Sequence, residues 1–281
     1  MTAPRRRRLR PLTLMSHALL ILFSFATLYP ILQIVTVSLR PSDQLYSTSL
    51  ALVPKGATLR AFYVILFERD FLVWMRNSLL VSFAVTVFGV ALASTAGYAF
   101  SRYRFPGWTA GLYSFLLTQL FPATMLMLPL YVMMKAVGLL DTFTGLAIAY
   151  TATALPFSVW TMRGYYDTIP IELEQAALID GCGPWSAFTR VTFPLAAPAL
   201  AITALFSFMN AWSEFLVARV IVNRQALYTL PLGLESLAGQ FQTEWANYAA
   251  GSLLVCVPVM ILFVVLNRWL VSGLALGGVK G

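Results

Sequence analysis

Glu172, Glu174, Asp180 and Arg190 all fall within Thr168 to Pro198, TIPIELEQAALIDGCGPWSAFTRVTFPLAAP, and uncharged runs flank this stretch on both sides. The charges do not assemble a catalytic centre. The chain contains no G-x-S-x-G elbow, no H-E-x-x-H and no paired His–carboxylate arrangement. What the stretch offers is recognition. Its pattern predicts two short helices, roughly Ile171 to Ile179 and a second opened by Pro184, with Gly181-Cys182-Gly183 between them. Proline suits the first helical turn, where its missing N–H has no partner to lose. Gly181 permits a positive φ or a close approach, and Asp180 is placed to cap the N–H groups of the second helix. An elbow carrying four charges cannot lie among lipid tails. It must stand at the membrane surface, where a soluble partner can grip it.

The rest of the chain has little raw material for chemistry. Its lysines are Lys55, Lys135 and Lys280, and none sits in a G-x-x-x-x-G-K-[ST] phosphate loop. His17, the single histidine, falls near the start of the first apolar run and reads as an interfacial residue. Cys182 and Cys256 lie at different depths, so a disulfide is not expected. No metal site and no cofactor is expected in this chain. Ion-coupled carriers keep several ionisable groups near mid-membrane, and here only Glu214 comes close, as either an interfacial or a cavity-lining group. Uphill transport would draw its energy from contact with another subunit, and the elbow is the surface for it.

These residues are positioned by an integral membrane chain of 281 residues, 59% hydrophobic and 11% charged, with mean hydropathy +0.77. Soluble domains carry about 25% charge. Uncharged runs cover 11–39, 77–101, 105–134, 142–162, 191–213 and 245–267. Each is long enough for one helix of roughly 20 residues, so the expectation is six spans, approximately 13–38, 77–100, 108–134, 142–162, 196–217 and 247–270. The first run is too long for a signal peptide core and is expected to be retained. Arg5, Arg6, Arg7, Arg8 and Arg10 form a basic terminus at 1–10 that holds the N-terminus in the cytoplasm. Six spans return the tail at 271–281 to the same side. The cluster anchors to membrane lipid and is not a nucleic-acid arm. Gly89, Ala93 and Gly97 put small residues on one helix face for close packing. Pro122, Pro129, Pro156 and Pro258 interrupt the spans, either as static kinks or as joints of a core that opens and closes.

Glu174-Gln175-Ala176-Ala177-Leu178-Ile179-Asp180-Gly181, followed by Pro194, resembles the "EAA" loop of binding-protein-dependent ABC importer permeases. Arg76-Asn77-Ser78-Leu79, Ser101-Arg102-Tyr103-Arg104-Phe105-Pro106-Gly107, Gly164-Tyr165-Tyr166-Asp167-Thr168-Ile169-Pro170 and the terminal Gly277-Gly278-Val279-Lys280-Gly281 resemble the carbohydrate branch, of MalG type. The resemblance implies an all-α fold of ABC type I importer permease (MetI-like) kind, with cytoplasmic coupling helices in the loop 168–198. It implies ATPase coupling through Glu174, Gln175, Ala176, Ala177, Asp180 and Gly181, and a tail contact with the ATPase through Gly278 and Lys280. The implied partners are a second, MalF-like permease, a MalK-like ATPase dimer that binds ATP and Mg, and an extracytoplasmic solute-binding protein meeting the outer loops. The family's motif glutamate aligns with Gln175 here, so either Glu174 substitutes for it or a neutral hydrogen bond serves.

The sequence therefore predicts a non-catalytic permease subunit of a carbohydrate importer, with maltose or maltodextrin-like oligosaccharides as the first choice of substrate. It would sit in a bacterial or archaeal cytoplasmic membrane with both termini inside. The alternative is a secondary carrier or channel for small polar solutes. No substrate-contacting residue is singled out.

Overall fold

A computed structural model of the chain describes residues 11–41, 51, 53–238 and 243–277. Among these residues the structure is helical, and the β pairing is one isolated bridge, Ala238 with Thr243. In chain order the helices are α1 (Pro11–Ser38), α2 (Arg60–Tyr63), α3 (Phe71–Arg102), α4 (Trp108–Leu120), α5 (Ala123–Ala136), α6 (Phe143–Tyr166), α7 (Ile171–Ile179), α8 (Pro184–Ala187), α9 (Phe193–Leu195), α10 (Ala197–Ser213), α11 (Leu216–Ile221), α12 (Leu230–Glu235) and α13 (Trp245–Gly277). Four helices are single and apolar enough to cross a membrane, and two further pairs qualify if each bent pair is one span, which gives up to six. The basic terminus 1–10 and the tail residues Gly278 and Lys280 lie outside the described residues.

The helices depart from the expected spans in instructive ways. The span expected at 77–100 begins six residues earlier, at Phe71. Arg76 and Asn77 read as a polar edge, yet both are helical, because Asn77 is wholly buried and its Nδ2 donates to the carbonyls of Ala226 (2.9 Å) and Tyr228 (3.0 Å). The spans expected at 142–162 and 247–270 extend to Tyr166 and Gly277. The span expected at 108–134 is two helices bent by 109°, broken at Phe121-Pro122, where proline cannot continue the hydrogen-bond ladder. The span expected at 196–217 ends at Ser213, and the segment Pro184–Leu195 meets it at 78°.

The chain forms two compact units. The first comprises Met1–Arg69 with Leu237–Leu254. In it α1 exposes apolar side chains all round, Leu22 and Phe23 at 71% and 70%, so this chain alone does not cover them. The surface helix expected around Arg60 to Phe67 is α2 continued by a π-turn, Val64–Glu68. Arg69 pairs with Glu244, whose other carboxylate oxygen accepts from Asn247 Nδ2 at 2.7 Å.

The second unit comprises Asp70–Ser236 with Val255–Gly281. Its centre is α3 packed on α6 and α10. The small-residue face of α3 makes this approach possible. A Cβ on Gly97 would stand 2.8 Å from Met162 Cβ and 2.9 Å from Arg163 N, and one on Gly89 would stand 3.3 Å from Ser207 Oγ. Val81, Val85, Leu146 and Tyr150 fill the core toward one end, and Phe100, Val159, Met162 and Tyr166 toward the other. Loss of one of the larger side chains from such a core typically costs about 2–5 kcal/mol.

Candidate coupling elbow

The elbow is built at the Phe100–Tyr166 end of the second unit. α6 runs out at Tyr166, and Thr168 and Ile169 turn the chain through hydrogen bonds to the Tyr165 and Tyr166 carbonyls. Pro170 then precedes α7. α7 ends in a Schellman motif. Cys182 N donates to Ala177 O (3.0 Å) and Gly181 N to Leu178 O (3.1 Å), which satisfies carbonyls the helix end would leave open. Gly181 has φ +87°, a left-handed conformation that glycine adopts freely. A Cβ there would meet nothing within 4 Å, so what the site demands of Gly181 is its backbone conformation and not a close approach. Asp180 is the C-cap of α7 and is exposed. It does not cap α8, whose N-cap is Gly183 with no side-chain bond. Asp180 instead ends α7, where its N–H donates to Ala176 O at 3.0 Å.

The two acidic residues in the first turn of α7 face opposite ways. Glu172 is exposed, whereas Glu174 is 6% exposed. Glu174 Oε1 accepts from Arg102 Nε at 2.7 Å and Oε2 accepts from Tyr98 Oη at 2.9 Å. Arg102 also donates through Nη2 to Ile169 O (3.0 Å) and through Nη1 to Ser101 Oγ (3.1 Å), and Ser101 Oγ donates to Asp167 Oδ1 (2.6 Å). The pair's side chains are 9% and 8% exposed. A buried charge is tolerated when its partner and its remaining hydrogen bonds are all supplied, and here they are. The Tyr98 ring lies 4.5 Å from Phe188 and 5.9 Å from Tyr166 between centroids, and Phe188 in turn touches Trp185. The elbow is therefore fastened to the ends of α3 and α6 by an ion pair and an aromatic cluster.

The opposite face of the elbow is open. Ile179 is 86% exposed, Trp185 67%, and Ile171, Leu173 and Leu178 are each 45% exposed. Gln175 and Ala176 lie on this side, while Ala177 is buried with Glu174. Of the residues expected to couple, Gln175, Ala176, Asp180 and Gly181 are presented outward, and Glu174 and Ala177 hold the helix down. Sequence reasoning missed Arg102 and Tyr98. The turn Ser101–Gly107 marks two arginines at that end, but nothing in it says which of them reaches α7. Glu214 also takes a definite place. Its Oε1 accepts from Val217 N at 3.0 Å in the first turn of α11, where a carboxylate meets the positive end of the helix dipole.

A family profile described as "Binding-protein-dependent transport system inner membrane component" matches residues 86–275. The maltose/maltodextrin transport system permease protein MalG of Salmonella typhimurium is 33% identical over all of this chain and 99% of its own length. MalG of Escherichia coli is 34% identical over 95% of each chain, and so is the maltodextrin permease MdxG of Bacillus subtilis. A chain of a bacterial ABC transporter that imports the acidic polysaccharide alginate has the same fold, with TM-score 0.80 at 23% identity over 95% of this chain and 99% of that one. With the profile spanning the elbow and the helices that hold it, this multi-pass chain belongs to the family of binding-protein-dependent transport system inner-membrane components.

Proposed function

We propose that this chain is the membrane permease subunit of an ATP-driven carbohydrate importer, with neutral maltodextrin-like oligosaccharides as cargo. The observation that carries the reading is the two-sided elbow. One face is riveted to the membrane helices through Glu174 and Arg102, and the other offers Gln175, Ile179 and Trp185 with nothing on them. A surface of that apolarity next to a membrane marks a protein contact, and a soluble ATPase is the partner that gives a chain without a phosphate loop its power stroke. The names of the full-length relatives support the cargo.

On this reading two permeases pair, each docks its elbow on one subunit of an ATPase dimer, and a solute-binding protein delivers sugar to the other side. ATP and Mg belong to the ATPase, and this chain hydrolyses nothing. Glu174 positions the elbow, and Gln175 makes a neutral contact where the family has its motif glutamate. The elbow and both termini, including Gly278 and Lys280, face the cytoplasm of a bacterial or archaeal cell. The test is uptake of radiolabelled maltotriose into proteoliposomes holding both permeases, the ATPase and the loaded binding protein. Uptake should require ATP. Uptake that persists without ATP would make the chain a secondary carrier.

A further inference from the structure

We infer that Gln119, Thr153 and Asn210 form a sugar-contacting face on the translocation path. This rests on the importer reading above and assigns the cargo site to particular residues of this chain. Gln119 is next to the last residue of α4, just before the break at Phe121-Pro122. Its Nε2 donates to Thr153 O at 3.4 Å, and Thr153 Oγ1, which donates to Tyr150 O at 2.9 Å, lies 3.3 Å from the Asn210 side-chain amide. Three helices, α4, α6 and α10, thus bring their polar groups to one place. Gln119 and Thr153 are exposed and Asn210 is half-buried.

Depth decides what this face can meet. Thr153 stands ten residues from the first residue of α6 and thirteen from the last, which is roughly 15 and 20 Å at the helical rise. That is near the middle of a hydrocarbon layer about 30 Å thick. An amide or hydroxyl turned to lipid there lacks partners and is strongly disfavoured. The face must therefore look into water or into protein. The other flank of α6 shows the contrast. There Ile148, Ala152 and Leu155 join Phe88 and Leu92 of α3 in an open apolar cavity of about 670 Å³, a surface suited to acyl chains.

Two observations favour the aqueous path over a partner helix. The face abuts a helix break bent by 109°; such breaks are tolerated within protein or at a cavity, and broken helices are where secondary transporters build their substrate sites. The face also has the composition of a ligand site, a few polar groups beside aromatic rings. Phe157, one turn along α6 from Thr153, is 45% exposed, and its ring lies 4.0 Å from that of Phe206, one turn before Asn210. Amide and hydroxyl groups match sugar hydroxyls, and the paired rings match the C–H face of a pyranose. No charged side chain takes part in the cluster, and Val217 N donates to one oxygen of the Glu214 carboxylate at 3.0 Å. The ligand it fits is a neutral saccharide.

The experiment uses the complete complex, both permeases with ATPase and binding protein, and maltotriose as probe. In a background lacking Cys182 and Cys256, Asn210→Cys should react with a water-soluble thiol reagent. Reaction should slow at least threefold when loaded binding protein and a non-hydrolysable ATP analogue hold sugar in the path. Asn210→Leu should cut uptake per inserted complex by about tenfold or more while ATP hydrolysis stimulated by the loaded binding protein persists. No labelling would mean that the face is buried against another helix and would overturn the inference. Labelling without protection, together with normal uptake by Asn210→Leu, would overturn it as well. A wild-type complex that imports no sugar defeats the functional reading and with it the sugar assignment. Labelling would then report separately on whether the face lines water.

Discussion

Arg102 and Glu174 are 72 positions apart in sequence and 2.7 Å apart in space. Removing one member of a buried pair strands the other and costs about 3–5 kcal/mol. Glu174→Ala should therefore lower the melting midpoint of the detergent-solubilised chain, and adding Arg102→Ala should recover part of that loss. The ATPase should stay bound in pull-down, because the lost carboxylate faces inward. Retained midpoint with lost ATPase would show instead that Glu174 reaches outward. A different carboxylate gives a pH signature. Backbone N–H groups of Arg224 and then Asn223 hold Asp141 below the ordinary carboxylate range. A depressed folded value means that the contribution is present above the unfolded value of about 3.9 and is lost as pH falls through the folded one. The midpoint difference between wild type and Asp141→Asn should be full at pH 6 and shrink on acidification below about pH 4. A difference that grows on acidification would contradict this account.

At the scale of elements, the apolar runs were legible because bilayer thickness sets helix length directly. The elbow was legible because Gly181 and Pro184 punctuate it. Its inward face was not. α7 puts Ile171, Leu173, Leu178 and Ile179 outward and Glu174 inward, which inverts the pattern that usually tells core from surface. The break at Phe121-Pro122 was visible as a proline but not as a 109° bend, since a proline's effect depends on which neighbours take up the freed backbone groups. Gly181 tests the elbow as a unit. With φ +87° and no atoms near a Cβ, substitution acts through backbone strain of about 1–2 kcal/mol. Gly181→Val should abolish uptake per inserted protein, while Gly181→Asn, which tolerates the left-handed region, should retain a substantial part. Equal loss in both variants would mean that the conformation of this residue is not what matters.

For the molecule as a whole, what remains uncovered points to an assembly. α1 exposes its apolar side chains all round, and the elbow leaves Ile179 at 86% exposure. Lipid can cover α1, but a helix carrying Glu172 and Asp180 on its exposed side cannot sink into hydrocarbon, and on the importer reading proposed above its cover is a soluble protein. Ile179→Cys, in a chain lacking Cys182 and Cys256, tests side and partner together. Residue 179 is exposed beyond the Glu174 anchor, so the substitution should leave the anchor intact. With the chain expressed without its ATPase, an impermeant thiol reagent should label inside-out vesicles and leave intact cells unlabelled. With the ATPase co-expressed, labelling of the vesicles should fall by an order of magnitude, because an apolar residue at the centre of a contact is screened from water. Labelling from outside intact cells would invert the topology expected from Arg5, Arg6, Arg7, Arg8 and Arg10. Unchanged labelling in the presence of a bound ATPase would move the docking surface away from α7.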